Sequence, residues 1–287
     1  MTSQLKTFLL LGLLTGVILC MGQALGGRSG LVVALAFALI MNLGSYWYSD
    51  KIVLRMYKAR ELSASESPML HEIVGELAQA AGIPKPRIFL IPQDAPNAFA
   101  TGRNPQNAAV AVTSGILRLL TPDELRGVLA HETAHIVHRD ILIQCTAGVL
   151  ASAIVTIAHI MQFTAIFGGG RSNEQGGSNA GVALLMAFLA PLAAGLIQFA
   201  ISRSREYLAD EGGARISGKP LALASALGKL DSYSRSMPMR GGNPSTAHLF
   251  IVNPFTASGM AALFSTHPPV AERIARLREM AAGVRRS

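Results

Sequence analysis

The 287 residues are 50% hydrophobic and only 15% charged, with a mean hydropathy of +0.38; a disordered chain is excluded, and so is an ordinary soluble domain, in which about a quarter of residues carry charge. The net charge of +8, from 25 Lys and Arg against 17 Asp and Glu, does not argue for a nucleic-acid partner, because the basic residues follow apolar runs instead of forming one dense block; that distribution suits a protein facing an anionic leaflet. Cys20 and Cys145 both lie in apolar stretches far apart, so no disulfide framework or CxxC metal site is expected.

Phe8 to Leu25 and Leu31 to Tyr48 are two uncharged apolar segments, each near the lower limit for crossing a bilayer and joined by a five-residue turn. Together they predict an N-terminal transmembrane hairpin over residues 1–50. The small-residue stretch Ala24-Leu25-Gly26 resembles a signal cleavage site, but a second span follows at once. Lys51, Arg55, Lys58 and Arg60 follow the second segment, while the turn carries only Arg28. The positive-inside bias therefore places the N-terminus and the region after residue 50 in the cytoplasm, with Tyr46, Trp47 and Tyr48 as an interfacial belt.

Residues 51–140 read as the first part of a catalytic domain. Pro68 to Gly82 has helical apolar spacing through Leu70, Ile73, Val74, Leu77 and Ala78. Arg87 to Ile91 and Ala108 to Thr113 read as two strands of a small sheet, and the Asn- and Gly-containing stretch between them, including Asn97 to Gly102, reads by composition as a turn. Thr121-Pro122-Asp123-Glu124 is a helix start with a capping box. Ile141 to Phe167 and Ala180 to Ile201, joined by a Gly-rich loop, predict a second apolar hairpin over 141–201; Gln144, His159, Gln162 and Gln198 within it also fit helices buried in protein. Residues 202–287 form the second part, with helices over Glu206 to Ile216, Leu221 to Tyr233 and Pro269 to Met280 and a Gly/Pro-rich loop over 236–259.

The helix starting at Thr121 carries His131-Glu132-Thr133-Ala134-His135. Histidines four residues apart project from one helix face and can hold one zinc ion, with Glu132 beside the open coordination position as general base, the arrangement of a metalloprotease. His138 lies about 10 Å along the axis from His131 and cannot converge on the same ion. If the helix continued into the apolar run at Ile141, His135 would sit about 10 Å from the membrane boundary. For the third ligand, several downstream donors compete. Glu206 begins a helix directly after the last apolar segment, with Asp210 one turn on, where it could orient a ligand histidine; the same residues with Arg203 and Arg205 also fit a solvated ion-pair face.

These motifs, His131 to His135 followed by Asp140, Ser202 to Asp210, Asn97 to Gly102 and Ser265-Thr266-His267-Pro268-Pro269, together resemble the HtpX family, bacterial inner-membrane zinc endopeptidases related to the CAAX prenyl proteases. The resemblance covers nearly the whole chain. It implies a mainly α, polytopic membrane protein with an α+β zincin-like cytoplasmic metalloprotease domain containing a small sheet. It further implies one zinc per chain on His131, His135 and Glu206, Glu132 as base, Asp210 supporting the metal site, and Asn97 and His267 near the substrate carbonyl as oxyanion donors. Its substrates would be unfolded or damaged membrane proteins, cut at the cytoplasmic face in a stress response. The family often has Asn where this chain has His138. The rival readings are a CAAX-type processing peptidase, an intramembrane metalloprotease, against which Arg126, Arg139 and Asp140 around the motif argue, and a non-catalytic membrane scaffold, against which Glu132 argues.

Overall fold

The structure, a computed structural model, describes residues 3–152, 154, 195, 203–236, 249–252 and 268–283. The expected second hairpin beyond Ser152, with His159 and Gln162, the loop after Ser236 and His267 lie outside the described residues, apart from short pieces.

The first helical run, α1 (Ser3–Met56), is not one straight rod. The Asn42 Nδ2 donates to Thr15 Oγ1 at 2.7 Å, although 27 residues of straight helix would part them by about 40 Å. The chain folds back at Gly27, whose φ of 56° is a left-handed conformation that glycine adopts without penalty. Gly27–Met56 is the one described helix long and apolar enough to cross a membrane, and Thr7–Cys20 is a shorter apolar stretch. Phe8, Val32, Val33 and Ile40 are each 67–70% exposed.

Behind α1 lies a four-stranded mixed sheet in the order β1-β2-β4-β3, from β1 (Arg60–Glu61), β2 (Arg87–Ile91), β3 (Ala98–Gly102) and β4 (Ala108–Thr113). β2 runs parallel to β4, and β3 pairs antiparallel with β4. The stretch that composition assigns to a turn is therefore the edge strand. Its turn chemistry is displaced to the next residues, where the Asn104 side chain accepts from the Asn107 N–H and a short 3-10 turn connects to β4.

Both β3 and β4 are buried at every position, because the sheet is covered on both faces and alternate side chains enter different cores. One face, with Ile88, Ala98, Ala100, Val110 and Val112, packs against α2 (Pro68–Ala80) and α4 (Pro122–Val137). The other, with Phe89, Ile91, Phe99 and Ala111, meets Val53 and Leu54 of α1, Tyr57 just after it, and Cys145 and Val149. The five buried residues of α2 are those its spacing selects.

A short helix, α3 (Ser114–Leu119), precedes α4. α4 does not continue into the apolar run. His138 caps it, Arg139 takes a left-handed φ of 57°, and the Asp140 N–H bonds back to the His135 carbonyl at 3.0 Å while the Arg139 N–H bonds to Ile136. This is a Schellman turn with an arginine at the position glycine usually fills. The apolar helix α5 (Ile141–Ser152) follows this turn and packs Ile143, Ala147 and Leu150 against Leu10 and Leu14. Three further helices among the described residues are α6 (Arg203–Ser217), α7 (Pro220–Ser236) and α8 (Val270–Ala281).

Candidate metal centre

The centre is assembled by α4 and α6. α4 is started by the capping box that its sequence predicts, with the Thr121 hydroxyl accepting from the Glu124 N–H and the Glu124 carboxylate accepting from the Thr121 N–H. One turn of helix separates His131 from His135, and the rings meet nearly at right angles with their Nε2 atoms 3.2 Å apart. α6 supplies the third group. It approaches closely because Gly213 has no side chain: a Cβ there would lie 2.7 Å from the backbone nitrogen of His131. Glu206 is thereby placed with Oε2 at 3.8 Å from His131 Nε2 and Oε1 at 3.6 Å from His135 Nε2.

These residues fit a metal. Their donor atoms all lie within 4.8 Å of one another, and the separations of 3.2, 3.8 and 3.6 Å bracket the roughly 3.4 Å edge of a tetrahedron with zinc bonds of about 2.1 Å. Two imidazoles and a carboxylate are also the donor set of a catalytic zinc with one position left open. All three are buried to within 4% exposure.

Each histidine has a carboxylate at its other ring nitrogen. Asp210 Oδ1 is 3.0 Å from His131 Nδ1, and Asp140 Oδ2 is 3.5 Å from His135 Nδ1; such partners orient the ring and raise its basicity as a ligand. Asp140 reaches His135 because the turn at Arg139 folds it back, and its other oxygen accepts from Arg205 at 2.5 Å. Asp210 is gripped by Arg273 of α8 through two bonds, Nε to Oδ2 at 2.8 Å and Nη2 to Oδ1 at 2.7 Å. Arg273 is completely buried. It also donates to the Ile251 carbonyl at 2.8 Å.

The electrostatics follow from burial and these neighbours. Burial pushes the Glu132 carboxyl up to about 7, against the pull of the His135 charge and the Ala100 N–H, which donates to Glu132 Oε2 at 2.8 Å. Burial also takes His131 down to about 4, against Asp210. Burial would lower His135 too, but the nearby Asp140 carboxylate and the charges of Glu206 and Glu132 outweigh it and raise it to about 9. Asp210 stays well below the usual carboxylate range, because Arg273 more than offsets its burial. Glu132 thus stands beside three side chains that could hold a cation, the components needed to move a proton during hydrolysis.

The structure thus brings His131, Glu132, His135, Glu206 and Asp210 into one buried cluster. It sets Asn97 at the start of β3, where its Oδ1 accepts from the Ala98 N–H at 2.8 Å and the Ile251 N–H at 3.3 Å. His138 is exposed, away from the triad. Three members are given no role by the sequence alone, Asp140 standing there only as part of the motif. Asp140 is placed by a non-glycine left-handed turn, which sequence does not signal. The Ala100 N–H belongs to a strand read as a turn. Arg273 had a usable signal: it sits between Val270 and Leu277 on the apolar stripe of α8, a position a solvated arginine would not take.

The fold and this cluster define a metallopeptidase-type centre on an HExxH helix with a carboxylate from a later helix. The model of peptidase family M48 matches residues 64–281. Proteins described as "Protease HtpX homolog" are 55% identical in Syntrophobacter fumaroxidans, over 98% of this chain and all of that protein, 55% in Thermococcus sibiricus, over 96% of each, and 51% in Ralstonia pickettii, over 98% of each. The chain belongs to peptidase family M48 and, within it, to the HtpX-type proteases. The crystal structure of S. mikatae Ste24p superposes with a TM-score of 0.49 at 20% identity, covering 96% of this chain and 65% of that one.

Proposed function

We propose that this peptidase is a zinc-dependent membrane endopeptidase that cleaves misfolded or damaged membrane proteins at the cytoplasmic face of the inner membrane, as part of a stress response. The observation that carries the proposal is the convergence of His131, His135 and Glu206 with Glu132 held beside them. Those three side chains would hold one zinc ion per chain, which when bound supplies Lewis-acid polarisation of the scissile carbonyl and acidifies a water molecule. Glu132, fixed by the Ala100 N–H, takes the proton from the attacking water and delivers it to the departing amine. Asp210, braced by Arg273, keeps His131 turned with Nε2 toward Glu206. Asn97 and His267 are the proposed donors to the developing oxyanion.

The proposed topology has both apolar arms of α1 in the bilayer, and the exposed Phe8, Val32, Val33 and Ile40 support it, since such a surface is costly in water. Polytopic insertion is completed in this reading by the segments over 141–201. The proposed partners are the membrane itself and unfolded polypeptide; no nucleic acid is involved.

The test is removal and return of zinc. Purified protein stripped with a chelator should lose cleavage of an unfolded substrate and regain it with about one zinc per chain, whereas Glu132→Gln should bind the same zinc and stay inactive. Full activity in the stripped protein would overturn the proposal.

A further inference from the structure

The exposed face of α1 changes character towards its C-terminal end. Leu39, Ile40 and Leu43 are exposed and apolar, Trp47 and Tyr48 follow at 50% and 55% exposure, and Lys51 and Arg55 come next, exposed and cationic. A helix leaving the hydrocarbon of a bilayer shows its residues in that order, aliphatic, then aromatic, then basic.

At the aromatic level a residue from the sheet joins α1. The Arg103 guanidinium lies over the Trp47 ring, 4.7 Å from its centroid, and Arg103 directly follows β3. Lys51 stands one turn beyond Trp47 on the same helix face. Helix side chains lean towards the N-terminus, so the Lys51 ammonium comes back to the aromatic level, 5.2 Å from the centre of the Tyr48 ring. Two cations from separate elements are thus held at the height of the interfacial belt.

Neither is neutralised. Elsewhere Arg60, Arg126 and Arg205 each meet a carboxylate. Arg103 has the neutral Asn107 Oδ1 at 3.4 Å, and among the described residues no carboxylate lies within ion-pair distance of Lys51. Asp50, beside Lys51 in the chain, is largely buried and faces Arg87 at 3.6 Å. A phosphodiester is what this pair lacks. A guanidinium over an aromatic ring presents its N–H edge to two phosphate oxygens, and an ammonium meets the same group as a point charge. The exposed Leu39, Ile40 and Leu43 continue the site towards the hydrocarbon, where acyl chains would lie and where a soluble phosphate has nothing to contact.

We propose that Arg103 and Lys51, set over Trp47 and Tyr48, bind the headgroup phosphate of an anionic phospholipid in the cytoplasmic leaflet. This rests on the membrane topology proposed above. A zwitterionic lipid carries its own cation and leaves the two positive charges uncompensated, so the site selects lipids of net negative charge. Occupancy ties the end of β3, the strand whose Ala100 N–H bonds Glu132, to the bilayer surface.

Trp47 is the single tryptophan of the chain and serves as the probe. The full chain with zinc is placed in phosphatidylcholine bilayers that contain a minor fraction of brominated phosphatidylglycerol or, in a parallel sample, the same fraction of brominated phosphatidylcholine, and quenching of Trp47 gives the relative affinity of the two lipids. Wild type should prefer phosphatidylglycerol by about fivefold or more, the effect of one cation at a membrane surface. Arg103→Gln and Lys51→Gln should each lower the preference and the double variant should abolish it, with zinc content and Tm unchanged. Lys58→Gln removes an equally exposed cation about three helical turns beyond Trp47 and should leave the preference as it was. Soluble glycerophosphate at matched ionic strength should not relieve the quenching. Equal quenching by both lipids in the wild type, an equal fall in Lys58→Gln and Arg103→Gln, as diffuse attraction to the leaflet predicts, or displacement by glycerophosphate overturns the inference while the membrane reading stands. A Trp47 that neither lipid quenches overturns the membrane reading and this inference with it.

Discussion

At the scale of single residues, the metal centre is a set of buried charges that depend on one another. Removing the Glu132 carboxylate by Glu132→Gln should lower kcat by about 10²–10⁴ with bound zinc unchanged, measured by metal analysis beside a peptide assay. Arg273 is different in kind, because it touches no reacting atom. Arg273→Met leaves Asp210 buried without its bidentate partner and releases the Ile251 carbonyl. Loss of one partner of a buried pair costs about 3–5 kcal/mol, so Tm should fall sharply. In Asp210→Asn the tilt of His131 is no longer fixed by a carboxylate, and zinc affinity should drop by about 10–100-fold, read by competition with a chelating dye; an affinity equal to wild type would remove Asp210 from the site.

At the scale of elements, α4 was legible because its signals are local. Thr121, Pro122 and Glu124 start it, and a helix by itself puts His131 and His135 on one face. Glu124 also ties α4 to α7, accepting from Ser225 at 2.7 Å and Lys229 at 2.8 Å. Burial alone would raise its carboxyl, but Lys229, the Thr121 N–H and Ser225 hold it at about 2, below the ordinary 4.5. The stabilisation this confers is full above about pH 4.5 and is lost as pH falls towards 2. The Tm gap between wild type and Glu124→Gln should accordingly be widest near pH 6 and shrink on acidification; a gap independent of pH would mean the ion pair contributes nothing. β3 was not legible. Ala98 to Gly102 is small, short and flanked by turn residues, and it is a strand because β4 offers it an antiparallel register from Ala98 opposite Val112 to Gly102 opposite Ala108. Likewise the break at Arg139 is invisible in a run that reads as continuous helix, since a left-handed arginine is tolerated only when the surrounding bonds over-determine it.

At the scale of the whole molecule, the end of the second apolar arm, at Val53 and Leu54, packs against one face of a sheet whose other face covers the helix that carries His131 and His135, so the proposed membrane part and the metal centre are joined through the sheet. In a chain with Cys20 and Cys145 replaced, a cysteine at Arg28 should react with an impermeant maleimide from outside the cell and one at Ser65 only after the membrane is opened; the opposite pattern would reverse the proposed orientation. The sequence by itself determined the apolar segments, the helix with its cap and the pairing of His131 with His135, because hydrophobic runs, capping boxes and i, i+4 spacing act within a few residues. Only the tertiary structure buried Glu206 beside His131 and His135 instead of on a solvated ion-pair face, brought Asp140 and Arg273 to the cluster, and made a strand of Ala98–Gly102. Those outcomes depend on which distant backbones can come together, as α6 does against α4 at Gly213, and on which charges are buried when they do.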